Sequence, residues 1–238
     1  MTYEPVRRQS VADLVFGRLR DSILSGELAP GAALPAERDL AGRFGVNRHA
    51  VREAVKRLEQ VRLVRVSHGV ETRVADWRRH AGLDVAAQLA GAGDALAVAT
   101  MTRDMLEMRA CIGADAARLC AERGTAEARA EVVALAEAYA GIGADVEELA
   151  AANIGLWRAI VLGSRNVAYL LSFNSLVAHA LAVAPVPPEQ RTAELLDVPG
   201  HQGLARLIDA GRGADAAAQA RRLLDRSVEA AIVPEERT

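Results

Sequence analysis

Apolar residues recur at helical spacing along nearly the whole chain, and a single short pair of alternating runs has the spacing of strands. These runs are LVRVS at 63–67 and ETRVA at 71–75, with a glycine between them, a pattern typical of a β-hairpin. Aromatic residues make up only 3% of the 238 residues, while alanine is abundant. Because alanine is the best helix former, and because β-rich folds favour aromatic and β-branched residues, the sequence predicts a mainly α fold.

Three short helices are predicted before the hairpin. The first covers 10–25, with Ser10 as its N-cap and Gly26 at its end. The second covers 36–44 and is broken by Gly45, and the third covers 47–60 with Asn47 as its N-cap. Three helices followed by a hairpin predict an N-terminal winged helix-turn-helix domain over residues 8–76.

Residues 77–82 are predicted to be a linker, and residues 83–235 to form a C-terminal antiparallel helical bundle of six to seven helices. The predicted helices of this bundle lie at 83–91, 100–123, 126–140, 145–162, 166–183, 190–210 and 214–232. Residues 1–80 carry 15 Lys and Arg against 10 Asp and Glu, although the whole chain has a net charge of −2. A basic first third joined to an acidic remainder indicates a nucleic-acid-binding module attached to a second function.

Several classes of protein are not expected. The chain has no stretch of about 18 apolar residues, and its N-terminus lacks the apolar segment of a signal peptide, so we expect a cytoplasmic protein without a membrane partner. It also has no glycine-rich phosphate loop and no motif for nucleophilic catalysis, so we do not expect an enzyme.

The third predicted helix has a basic face. Arg48, Arg52 and Lys56 follow one another at intervals of four residues and therefore share this face, while Val51, Val55 and Leu58 are predicted to point inward. The second helix of a helix-turn-helix enters the major groove, where arginine binds guanine bidentately and neutralises phosphates. Arg38 is predicted to reach the same groove, and His68 and Gly69, at the tip of the wing, the minor groove.

The stretch LPAERDLAGRFGVNRHAVREAVKRLE at 34–59 resembles the DNA-binding signature of the GntR superfamily. The resemblance implies that Arg38, Arg48 and Arg52 contact DNA, with Asn47 and His49 beside them. Most members carry Gly-x-Gly-Thr in the wing, whereas this chain has Gly69-Val70-Glu71-Thr72. The His68-Gly69-x-x-Thr72 pattern instead resembles the FadR subfamily, which implies that His68 and Gly69 contact the minor groove. Two DNA-binding heads that read a palindromic operator require two-fold symmetry, so we expect a homodimer.

The bundle is predicted to bury four polar side chains. Arg109 lies on the apolar stripe of helix 100–123, and Asn153, Asn174 and Ser227 lie on the stripes of three later helices. A buried arginine must be paired, because an isolated internal charge is costly. Either Arg109 belongs to a satisfied polar network, with Glu107 or Asp115 as its partner, or the four residues line a pocket for an anionic effector.

The second half also resembles the FadR subfamily. Leu106-Glu107-Met108-Arg109 matches its Leu-Glu-Met-Arg motif, in which the arginine lies at the ligand pocket. The resemblance implies a fatty acyl-CoA effector and a role in fatty-acid metabolism. The alternative effector is a small organic acid from sugar or amino-acid catabolism, bound without a metal. A third possibility is a helical interaction module that binds no small molecule.

A metal site is not expected. A competing subfamily of GntR regulators carries an FCD domain of the same helical architecture. These domains bind a metal through Asp-x-x-x-His and two later histidines, but the first pair would fall here at Asn153 and Trp157. Of the later positions, at most His201 and His179 suit a metal. The sequence therefore predicts neither a metal nor another cofactor.

Overall fold

A computed structural model describes residues 10–66, 71–85, 95–182 and 188–231. The chain forms two compact units, Met1–Asp94 and Ala95–Thr238. Residues 77–82, predicted as a linker, lie within the first unit.

The first unit begins with the three predicted helices: α1 (Val11–Leu24), α2 (Glu37–Phe44) and α3 (Arg48–Gln60). Ser10 caps α1 by accepting a hydrogen bond from the backbone N–H of Asp13, and Asn47 caps α3 by accepting one from Ala50, as predicted. Gly45 ends α2 with a φ of 65°, a left-handed conformation that glycine adopts without steric cost. This turn sets the direction in which α3 leaves α2.

Two short antiparallel strands follow, β1 (Val64–Arg65) and β2 (Arg73–Val74), with Val64 opposite Val74. They confirm the predicted hairpin, although they are shorter than the predicted runs. A short helix, α4 (Trp77–His80), and a 3₁₀ turn at Leu83–Val85 end the described part of this unit. Its core is formed by side chains from α1, α3 and the hairpin: Phe16, Leu19, Val51, Leu58, Leu63 and Val74.

The described part of the second unit is helical. Its elements are α5 (Ala95–Arg123), α6 (Ala126–Ala140), α7 (Val146–Gly163), α8 (Val167–Ala182), α9 (Pro188–Leu195), α10 (Val198–Asp209) and α11 (Gly213–Ala231). Helix α11 packs along α5, α10 packs on α6, and α7 contacts both α5 and α6. Gly113 allows the close contact of α5 with α11, since a Cβ atom there would lie 2.6 Å from the side chain of Leu224. Within the described residues, no helix is both long and apolar enough to cross a membrane.

Two helix predictions differ from the structure. The stretch 190–210, predicted as one helix, is divided into α9 and α10. Asp197 caps α10 by accepting from the backbone N–H of Gly200, and Pro199 lies in the first turn, where its missing N–H costs nothing. A Cβ atom at Gly200 would lie 2.4 Å from Oδ2 of Asp197, so this cap requires glycine. Of the helix predicted at 83–91, the described residues form only the 3₁₀ turn.

Candidate functional site

The basic face of α3 is exposed, as the sequence predicts. Arg48 and Arg52 lie on the solvent side, together with Lys56. Val51 and Leu58, on the opposite side, are completely buried. The helix therefore presents a row of cations on a rigid support, an arrangement suited to a polyanion such as DNA.

Arg57 does not belong to this row. Its guanidinium forms an ion pair with Asp13 of α1 and lies over the ring of Phe16, 4.4 Å from the ring centroid. The ion pair and the hydrogen bonds from Ser10 lower the pKa of Asp13 to about 2, with the Ser10 side chain contributing most. Arg57 thus ties α3 to α1, and Arg48, Arg52 and Lys56 keep the exposed face.

Asn47 and His49, placed beside DNA by the family resemblance, are both exposed. The side-chain oxygen of Asn47 is engaged with the backbone N–H of Ala50 at 2.8 Å. Asn47 therefore holds the start of α3, and its amide N–H₂ group and the second lone pair of its oxygen are left to face a ligand.

Arg38 of α2 and Arg52 of α3 each have an acidic neighbour. Arg38 is largely exposed and contacts the adjacent Asp39 at 3.4 Å. Arg52 reaches back to Glu37 at the start of α2, with its Nε and Nη2 atoms 3.2 and 3.1 Å from Oε2. Hydrogen bonding to Glu37, more than the Coulomb attraction, raises the pKa of Arg52. His68 and Gly69, predicted at the wing tip, lie outside the described residues.

A buried ion pair lies within the second unit. The Nη1 and Nη2 atoms of Arg109, on α5, are 2.7 and 2.6 Å from the two carboxylate oxygens of Glu194, on α9. Glu194 has no solvent exposure, and the Arg109 side chain is 18% exposed. The predicted partners were wrong, because Asp115 pairs with Arg118 and Glu107 lies beside Arg103.

Two of the predicted polar residues join this pair. Asn153 accepts from Nη2 of Arg109 at 3.2 Å, and the hydroxyl of Ser227 donates to Glu194 at 2.5 Å. Both are buried, as predicted. Burial alone would raise the pKa of Glu194, but the attraction and hydrogen bonds of Arg109 outweigh it and lower the pKa to about 2. The carboxylate is therefore charged.

His201 and Arg191 complete the group, and neither was among the predicted pocket residues. The amide of Asn153 lies 3.1 Å from Nε2 of His201, and Nδ1 of His201 lies 2.9 Å from the carbonyl of Asp197. Since a carbonyl only accepts, Nδ1 carries the hydrogen and Nε2 accepts from Asn153. Burial lowers the pKa of His201, so the ring is neutral at pH 7. We call Arg109, Asn153, Arg191, Glu194, His201 and Ser227 the buried polar cluster.

Among the side chains that the structure describes, the buried polar cluster has two arginines and one carboxylate, and so one positive charge without an acidic partner. Arg109 and Glu194 neutralise each other, whereas Arg191 bonds only to the neutral amide oxygen of Asn153, at 3.2 Å, among the described residues. Burial, followed by repulsion from Arg109, lowers the pKa of Arg191. Beside the cluster, Trp157 lies 5.7 Å from the Arg109 guanidinium, and its buried indole N–H has no acceptor within the described part of the chain. These unused donors suit an anion.

Asn174 does not join the buried polar cluster, and its predicted inward orientation was wrong. It is exposed, and its side-chain oxygen accepts from Arg158 at 3.0 Å. On α8, Phe173 is buried, whereas Val167 and Leu171 are 70% and 61% exposed. Because α8 is apolar on nearly every side, its apolar pattern does not indicate which side faces the core.

The cluster does not suit a divalent metal. Nε2 of His201, the lone pair that a metal would use, faces the amide of Asn153. The Glu194 carboxylate is engaged by Arg109 and Ser227. Among the described residues, no group of three His, Cys, Asp or Glu side chains is placed to hold a metal ion. The side chain of His179, the other candidate, lies outside the described residues.

Comparison with protein families gives two matches. Residues 12–74 match the family described as bacterial regulatory proteins, gntR family. Residues 104–226 match the FCD domain, and this range includes five of the six residues of the buried polar cluster; the sixth, Ser227, follows it directly.

Comparison with individual proteins agrees with these two family matches. The chain is 45% identical to the HTH-type transcriptional regulator Mce2R of Mycobacterium tuberculosis over 127 residues, which is 53% of this chain and 52% of that protein. The chain thus spans about half the length of that relative. It is 29% identical to the fatty acid metabolism regulator protein of Yersinia enterocolitica over 171 residues, covering 72% and 70% of the two chains.

Among solved structures, the chain is similar to Lar, which controls the expression of the Listeria monocytogenes agr system. The TM-score is 0.51 at 17% identity, covering 95% of this chain and 98% of the other. A likeness at this level of identity concerns the fold alone.

Proposed function

Because the chain belongs to the GntR family of bacterial regulatory proteins and carries an FCD domain, we propose that it is a transcription regulator that binds operator DNA through α3 and a small-molecule effector through its second unit. Such a protein acts in the bacterial cytoplasm, where its operator is. Neither relative described above is named as an enzyme.

The observation that carries DNA binding is the exposed row of Arg48, Arg52 and Lys56 on a helix whose other side is buried. The helix fits the major groove, and the arginines supply both base and phosphate contacts. We propose that Arg38, Asn47 and His49 lie along the same groove, and that His68 and Gly69 reach the minor groove.

Replacing Arg48 with alanine tests this assignment. The expected loss of operator affinity is about 1–3 kcal/mol if the side chain contacts a base. The thermal stability should not change, because Arg48 is exposed. Fluorescence anisotropy with a duplex selected from a random pool measures the affinity, and Arg165→Ala, an exposed arginine of the second unit, is the control. Unchanged affinity in Arg48→Ala removes this residue from recognition.

We propose that the protein is a homodimer and that α8 contributes to the interface. Val167, Leu171, Asn174 and Ala178 form an exposed stripe along this helix. The helix contains no Asp, Glu, Lys or Arg. Apart from Arg158 of α7, which contacts Asn174, the stripe is uncharged and partly apolar. Such a stripe is suited to pairing with its own copy across a two-fold axis, which a palindromic operator also requires.

The proposed effector is a fatty acyl-CoA, the compound class that the FadR resemblance implies. Similarity to a fatty acid metabolism regulator protein supports it. The charge of the buried polar cluster favours an anionic group in the site, since a single negative charge would compensate Arg191. The same observation favours the alternative effector, a small organic acid, because one carboxylate supplies that charge.

Thermal unfolding separates these effectors. Binding to the folded state raises the melting temperature by mass action. At a ligand concentration of 100 times the dissociation constant, the free energy of unfolding increases by about 2.7 kcal/mol. We expect long-chain acyl-CoA to raise the melting temperature. Small mono- and dicarboxylates, which represent the alternative effector, are tested in the same way. A response to the small acids alone replaces the acyl-CoA proposal, and no response to either set favours a helical interaction module without a ligand.

The variant Arg191→Gln tests the role of the cluster. Glutamine keeps a donor for Asn153 but removes the uncompensated charge, so the unliganded variant should be as stable as the wild type or more so. The rise in melting temperature caused by the anion should be lost. The matched control is Arg206→Gln, which changes an exposed arginine of α10. If Arg191→Gln responds like the wild type, the anion does not bind at this residue.

A further inference from the structure

Glu37 and Arg52 are joined across the helix-turn-helix. Glu37 is the first residue of α2, and Arg52 lies in the second turn of α3. The contact uses two nitrogens of the guanidinium, Nε and Nη2, at 3.2 and 3.1 Å from Oε2 of Glu37. Arg38, by comparison, has one contact of 3.4 Å with the residue next to it.

This pairing leaves one particular edge of the guanidinium free. A guanidinium has five N–H groups, arranged in a side edge formed by Nε and one Nη, and an end edge formed by both Nη atoms. Glu37 occupies the side edge of Arg52. One Nη1 hydrogen and one Nη2 hydrogen are left at the end edge, with the spacing that binds O6 and N7 of guanine.

The stability of the fold does not explain this pair. The Arg52 side chain is 67% exposed and that of Glu37 is 38% exposed, and an ion pair so exposed contributes little to stability. A carboxylate beside a DNA-binding face also repels phosphates and weakens binding to any sequence. An acidic side chain here is therefore unfavourable for affinity unless it improves the selection of a base.

We propose that Glu37 is a positioning residue for base recognition: it holds the side edge of Arg52 so that the end edge faces a guanine in the major groove. The inference rests on the proposed DNA-binding function. Glu37 itself need not touch the DNA. Its carboxylate weakens the general attraction of the protein to phosphates and improves discrimination at one base pair.

The experiment uses duplexes that the full-length wild-type protein selects from a random-sequence pool. Each guanine in a selected duplex is replaced in turn with 7-deazaguanine, which lacks the N7 acceptor. At the guanine bound by Arg52, we expect this replacement to weaken wild-type binding about tenfold. In Glu37→Gln, the loss of affinity caused by 7-deazaguanine at that position, which we call the penalty, should fall to less than about twofold. Binding of this variant to a scrambled duplex should strengthen.

Three controls accompany it. Arg52→Lys keeps the positive charge but removes the paired N–H donors of the guanidinium. In this variant, 7-deazaguanine at the same position should no longer weaken binding. Glu53→Gln removes the same charge from the position of α3 next to Arg52 and should keep the penalty. A melting temperature for each variant confirms that it is folded.

The two possible failures are distinct. If Glu37→Gln keeps the full penalty at the guanine that Arg52→Lys identifies, Glu37 does not position Arg52, and the proposed DNA-binding function stands. If the wild-type protein selects no sequence, the proposed function is contradicted, and this inference with it.

Discussion

Glu194 is completely buried between two arginines and compensates the charge of only one of them. Replacing it with glutamine leaves both Arg109 and Arg191 uncompensated, so we expect Glu194→Gln to lower the free energy of unfolding by about 3–5 kcal/mol. Urea denaturation at pH 7 measures the change. Glu229→Gln, an exposed change on α11, should stay within about 0.5 kcal/mol of the wild type. Equal stabilities for the two variants would contradict the geometry of the pair.

Glu194 also makes the stability of the fold depend on pH. The pKa of Glu194 is about 2 in the folded protein, below its ordinary value of 4.5. A group with a depressed pKa stabilises the fold fully above its ordinary pKa, and this contribution is lost as the pH falls toward the folded value. The difference in stability between the wild type and Glu194→Gln should therefore narrow between about pH 4.5 and pH 2. A difference that is constant over this range would show that the carboxylate does not titrate as described.

Among the elements, helix α3 depends on its N-cap. Asn47 accepts from the backbone N–H of Ala50, so Asn47→Ala should lower the free energy of unfolding by about 1 kcal/mol. Asn47→Asp keeps an oxygen acceptor and should retain most of that stability. Chemical denaturation of both variants checks the prediction. If instead Asn47→Ala has normal stability but weak operator binding, its role in contacting DNA outweighs its role as a cap.

Element by element, the sequence was most informative where local chemistry decides the structure. Ser10, Gly45 and Asn47 each satisfy or redirect backbone groups within a few residues, so the ends of α1, α2 and α3 could be predicted. The separation of α9 from α10 depends on Asp197 and Gly200, which also form a local cap. An Asp followed by a proline within two residues was the signal for this break, and the apolar spacing through 190–210 obscured it.

Contacts between distant elements could be predicted only in part. Helical spacing indicated that Arg109, Asn153 and Ser227 point inward, and the three meet at Glu194. Glu194 was missed because nothing local to residue 194 shows that its partner lies 85 positions away. The available signal was chemical, since a buried arginine requires a buried acid, and Glu194 precedes the apolar Leu195 on the same predicted helix. The uniformly apolar α8 gave no such signal, and Asn174 was placed on the wrong side.

At the scale of the whole molecule, the two units have separate cores. Leu58 and Leu63 belong to the first, and Ile160 and Leu204 to the second. Each unit therefore buries its own apolar residues, and a change at the surface of one need not disturb the other. A substitution on the surface of the second unit can therefore test the proposed assembly while the exposed basic face of α3 stays intact.

We expect the exposed stripe of α8 to hold two copies of the chain together. We expect the wild type to have about twice its chain mass of 25.3 kDa in solution at micromolar concentration. Leu171→Glu places a charge in the middle of the exposed stripe of α8, and charges are disfavoured at the centre of an interface, so this variant should have the mass of one chain. Analytical ultracentrifugation measures both masses.

A charge on an exposed leucine elsewhere in the same unit is the matched control for that variant. Leu196, which follows α9, is 45% exposed, so Leu196→Glu should stay dimeric. Because one head contacts half of a palindrome, monomeric Leu171→Glu should also bind the operator far more weakly, although its α3 is unchanged. If Leu171→Glu is dimeric and binds normally, α8 is not the interface. If a monomeric wild type binds a palindrome tightly, the two-fold mechanism itself is wrong.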